Sequence, residues 1–109
     1  MPLARRRNPA SPDKLIARDI IADADTSGPF YEDLVQPLLA AWAEHAAGAL
    51  ESGKRVPPIA ASVWSGLAQV WAENHGMPAL TSAQASAAGR ALQARFQPEA
   101  DGYIDAYLG

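Results

Sequence analysis

Apolar positions along this chain recur every three to four residues, the period of a helix, and no segment alternates long enough to read as a strand. The best-marked stretch runs from Pro57 to Gly76. Ala60, Trp64, Leu67 and Trp71 step by four, three and four residues, and Ile59, Val63 and Val70 widen the stripe. Two prolines open it, which suits the first helical positions. Gly76 can take the left-handed conformation that closes a helix, and Pro78 cannot continue one. The pattern predicts a packing helix at the centre of the molecule. Trp64 and Trp71, seven residues apart, should share one side of it, packed near Leu38 and Trp42 of the preceding helix.

Further helices flank this one. Ser11-Pro12-Asp13 marks a start, with a capping hydroxyl, a first-turn proline and a carboxylate at the positive dipole end. A first helix then runs to about Asp23, burying Ile16 and Ile20 together with Leu15 and Ile21, and Ala24 to Gly28 is a turn. A second helix spans Pro29 to Ser52, with Gly53 beyond its end and a stripe of Tyr31, Leu34/Val35, Leu38, Trp42, Ala46 and Ala49/Leu50. Pro37 inside it removes a backbone donor and crowds the preceding turn, which predicts a kink or break near Val35-Gln36. Lys54 to Val56 link to the third helix. Thr81-Ser82-Ala83-Gln84 fits a capping box with Leu80 as its hydrophobic staple. The fourth helix runs from there to about Phe96, where Gln97-Pro98 ends it. Its Ala85, Ala88, Gly89, Leu92 and Phe96 side would let a neighbouring backbone come close. Asp101 to Leu108 suggests a short fifth helix, and residues 1–10 read as a disordered basic arm ahead of a single helical domain at 11–109. The expected fold is a small all-α domain of four to five helices, orthogonal or bundle-like.

Composition sharpens this in one respect. Of the 53 residues in the apolar class, 24 are alanine. The core must therefore be small and close-packed, and self-association into a homodimer is a natural way to enlarge it. The absence of cysteine excludes disulfides and thiolate metal sites, and suits a reducing cytoplasm. No apolar run approaches the roughly 18 residues that a bilayer demands. Arg5-Arg6-Arg7 has no hydrophobic stretch behind it, so a cytoplasmic protein is expected.

Charge is arranged in blocks although the net charge is only −3. Residues 1–18 are basic, 19–53 hold seven acidic residues and no Lys or Arg, 54–98 are mildly basic, and the remainder is acidic. Such blocks attract one another within a fold, or meet different partners outside it.

Candidate chemistry is sparse. Asp23-Ala24-Asp25-Thr26-Ser27-Gly28 matches the first half of a calcium loop, but Leu34 stands where the bidentate glutamate belongs. Trp64-Ser65-Gly66 matches the Trp-x-Gly element of small secreted helical-hairpin proteins. It falls in mid-helix rather than in their turn, and the tail those families carry is missing. His45 and His75 form no helical metal pair, there is no glycine-rich phosphate loop, and no Ser or Thr has an identifiable base. No catalytic residue, metal or cofactor is expected. The preferred function is a non-catalytic regulatory or adaptor protein of bacterial type that binds another macromolecule, with a protein as the expected partner, through a helical face. The alternative is a helix-turn-helix DNA-binding protein. Its recognition helix at 81–96 would present Gln84, Arg90 and Arg95, and its Arg5, Arg6 and Arg7 arm would enter the minor groove. A net acidic chain with few helical arginines weighs against it.

Overall fold

The computed structural model describes residues 12–25 and 28–108, and the side chains of 16–25 and 28–106. Among the described residues it is all-α. Its helices are α1 (Pro12–Ala24), α2 (Gln36–Glu51), α3 (Ala61–Asn74) and α4 (Ser82–Leu108), with one wide π turn (Tyr31–Val35) leading into α2. The expected Arg5–Arg7 arm and Ser11 cap lie outside the described residues. No helix is long and apolar enough to cross a membrane among those described.

The distortion expected before Pro37 takes the form of that π turn. The amide of Gln36 donates to the carbonyl of Tyr31, five residues back, and this one wide turn absorbs the proline's missing donor. The extra residue rotates the helix that follows. Phe30 and Val35 are both buried five residues apart, and the core side of α2 continues through Leu39, Ala43, Ala46 and Ala47. The expected stripe through Leu38 and Trp42 is thereby displaced by one position. Both are half-buried, and Leu50 is exposed.

The helix stops follow their local chemistry. Gly53 and Gly76 take positive φ angles of 78° and 69°. After each, the chain turns back to bond the last carbonyls. Gly53 and Lys54 donate to Leu50 and Ala49, and Gly76 and Met77 donate to Glu73 and Ala72, the double bond of a Schellman close. The capping box is present: Gln84 N–H donates to Thr81 Oγ1 at 3.1 Å, and Thr81 N–H donates to Gln84 Oε1 at 2.9 Å.

Three expectations are corrected. First, α3 starts at Ala61 rather than Pro57. A residue before proline avoids the helical region, Ala60 is extended, and Ile59 is held outside the helix by side chains of α4. Its amide donates to Gln97 Oε1, and its carbonyl accepts from Gln93 Nε2, both at 2.9 Å. Second, α4 does not end at Gln97-Pro98 but runs on through the proline, absorbing the expected fifth helix. Pro98 lies on the exposed side, and Gln97 Nε2 donates to Asp101 Oδ1 across it at 2.9 Å. Ala100 and Tyr103 beyond it still pack into the core. Third, the centre of the molecule is α4, not the third helix. α1, α2 and α3 each pack on α4, whereas α3 forms no comparable pair with α2.

Trp64, fully buried, lies 6.0 Å from Phe96 of α4 between ring centroids, in a core against which Leu38 and Trp42 also pack. Its neighbours on the buried side of α3 are Ala68, Trp71 and Ala72, while Val63 faces outward. α3 and α4 run antiparallel. Gln69, near the end of α3, grips both backbone groups of Leu80 at 2.9 Å, and the start of α3 meets Gly89. A Cβ on Gly89 would stand 2.8 Å from Ala61 O and 2.9 Å from Ser65 N, so the close approach expected along this side of α4 is present.

Candidate functional site

The segment where the chain's apolar and acidic patterns collide is the junction of α1, the π turn and α3. α1 ends on Asp23 and Ala24, α3 ends on Asn74 and His75, and the chain between α1 and α2 passes both. Together Pro29, Phe30, Leu34 and Trp71 line a half-open cleft of ≈ 320 Å³, with Asp23, Asp33, Asn74 and His75 as its polar residues. The π turn forms part of the wall through Asp33 and Leu34. Such wide turns re-aim side chains at binding sites more often than elsewhere in helices.

Three of these residues are locked to one another. The Trp71 indole N–H donates to Asp23 Oδ2 at 2.9 Å, tying α3 to α1. His75 Nδ1 lies 2.8 Å from the Trp71 carbonyl, which makes it the protonated ring nitrogen, and its Nε2 faces Asp23 Oδ2 at 4.0 Å. The His75 ring covers Trp71 with centroids 4.3 Å apart. The aspartates of the calcium-loop half are thus engaged in side-chain contacts, Asp25 accepting from Arg95 Nε at 2.8 Å. Among the described residues no group of three His, Cys, Asp or Glu could hold a metal ion.

A second polar cluster lies where α2 begins. Tyr31 O–H donates to Glu99, and Tyr103 O–H lies 3.4 Å from the same carboxylate oxygen. The hydrogen bond to Glu99, followed by burial and by Tyr103, raises the Tyr31 phenol well above its ordinary value. The pair joins the π turn to the far half of α4.

Of the residues expected to meet nucleic acid, Gln84, Arg90 and Arg95 stand on α4. Gln84 is spent in the capping box. Arg95 is bound to Asp25, with its guanidinium 4.8 Å from the centroid of Phe96. Arg90 is exposed beside Ser62, Ser65, Ser82 and Ser86 in a shallow groove between α3 and α4. Arg5, Arg6 and Arg7 lie outside the described residues.

The cleft went unnoticed in the sequence because its residues come from three separate segments with no common spacing. The available signal was local: an apolar-acidic run, Pro29 to Leu34, just before a proline that a helix must accommodate. Comparisons with protein-family models, with curated proteins and with solved structures returned no match to this chain.

Proposed function

We propose that this chain is a non-catalytic interaction protein, a regulatory or adaptor component that binds a protein partner through the cleft between α1, the π turn and α3. The observation that carries this reading is the cleft itself, an apolar pocket with a polar margin, built where the ends of α1 and α3 meet the π turn. The lack of cysteine suits action in the cytoplasm. In the same reading two copies pair through the outer face of α3. Val63 is 41% exposed there, Gly66 has open space around it, and half-buried Val70 continues the stripe. A glycine between two valines lets an identical helix come close in a self-complementary contact.

Photo-crosslinking in the source cell tests the reading. A crosslinking amino acid at Leu34 should capture a protein partner, while the same group at exposed Glu51, at the end of α2, should not. Equal capture at both positions, or none at either, overturns it. A gel shift with labelled duplex DNA at low salt tests the alternative, in which Arg90 and the Arg5–Arg7 arm contact phosphates. Salt-sensitive binding weakened by Arg90→Ala would replace the adaptor reading with it; no shift is expected.

A further inference from the structure

The chemistry of the cleft selects what can occupy it. The two carboxylates, Asp23 and Asp33, line a pocket whose other walls are Pro29, Phe30, Leu34 and Trp71 with Asn74 and His75 at the margin, and among the described residues His75 is its only basic one. The carboxyl-terminal ends of α1 and α3 meet there as well, and each helix end carries partial negative charge. The field inside the cleft therefore favours a cation. A metal ion is a poor candidate because no set of three ligating side chains converges among the described residues. A small hydrated ion would also gain nothing from Phe30, Leu34, Pro29 and Trp71.

An amphipathic cation gains from both parts. The stem of an arginine can lie on the apolar walls while its planar, weakly hydrated guanidinium reaches a carboxylate with two parallel donors. Asp23 adds negative charge beside it, with its Oδ2 already accepting from the Trp71 indole at 2.9 Å. Asp33 is exposed on the π turn and has no ion pair with any described residue. Resting on the adaptor reading above, we infer that the cleft receives an arginine side chain of the partner protein, flanked by an apolar residue, with Asp33 as its principal ion-pair partner.

Two short blocked peptides, Ala-Leu-Arg-Ala and the same sequence with citrulline for arginine, separate charge from shape. Each is titrated to low-millimolar concentration into the full chain. The Trp71 indole N–H signal is followed by NMR, assigned through Trp71→Phe. The arginine peptide should move that signal and bind about fivefold more tightly than the citrulline peptide at low salt. The difference should shrink as salt is added. Asp33→Asn should remove most of the difference while leaving citrulline binding unchanged. Because Asp33 is exposed, this variant should fold normally, which an unchanged spectrum outside the cleft checks. Equal binding of the two peptides would overturn the arginine assignment while leaving the cleft an interaction site. If neither peptide moves the Trp71 signal, the inference is wrong, and the Leu34 crosslink alone then decides the adaptor reading.

Discussion

Gln69, Gln93 and Gln97 act in this chain much as neighbouring strands act in a sheet. Gln69 satisfies both backbone groups of Leu80, and Gln93 and Gln97 share the same task at Ile59. Each serves a buried apolar residue in a connection between helices, where backbone groups would otherwise lose water without compensation. The pattern of apolar spacing treats a glutamine on a helix as a solvent-facing position, so these roles were invisible in it. Tyr31 offers a direct test at this scale. Its phenol is raised chiefly by the hydrogen bond to Glu99. A group raised in the folded state contributes stability that is fully present below its unfolded value, about 10 for tyrosine, and is lost as pH rises through the folded value. Denaturation midpoints should therefore fall above about pH 10 more steeply for the wild type than for Tyr31→Phe. An ultraviolet titration should show Tyr31 ionising later than an ordinary phenol, and Glu99→Gln should bring its ionisation earlier. Identical pH profiles for wild type and Tyr31→Phe would refute this.

Among the elements, what depended on neighbouring residues could be read in the sequence, and what depended on distant ones could not. The stops at Gly53 and Gly76, the Thr81–Gln84 box and the disturbance before Pro37 are decided within a few residues, and all four are present. The start of α3 was misplaced because Ile59 is held out of the helix by residues more than thirty positions away. Pro98 looked like a terminus because its tolerance depends on facing solvent, which only the packing decides. The cleft was missed for the same reason, since Asp23, Phe30 and Trp71 share no local pattern. Two glycines that look alike in sequence separate in the same way. Gly89→Ala would press a methyl into the Ala61 carbonyl and the Ser65 amide and should cost about 1–3 kcal/mol. Gly48→Ala, on an exposed part of α2 with nothing within 4 Å, should add about 0.5–1 kcal/mol through its helix preference. Urea denaturation of the two variants measures both. A neutral Gly89→Ala would mean that α3 and α4 lie further apart than described.

At the scale of the molecule, the core is the set of contacts that three helices make with α4, and the alanine bias becomes intelligible. Ala68, Ala72, Ala88 and Ala100 are nearly or fully buried and let helices approach, while Trp64, Phe96 and Leu92 fill what remains. The outer face of α3 is left with Val63 and Gly66 exposed, and the homodimer proposed for it has a simple readout. Light scattering at micromolar concentration should return the mass of two copies. Val63→Glu should return one copy with the helical spectrum intact. A monomer before the substitution would dismiss the dimer.

The dominance of α4 also bears on how the protein is born. α4 is the last of the four helices to leave the ribosome, so α1, α2 and α3 are synthesised before the surface that each of them covers exists. Domains whose core lies early in the chain can begin to fold while translation continues. Here the nascent helices must wait with their apolar sides uncovered, and a premature stop before Ser82 would release a chain without the helix on which the other three pack.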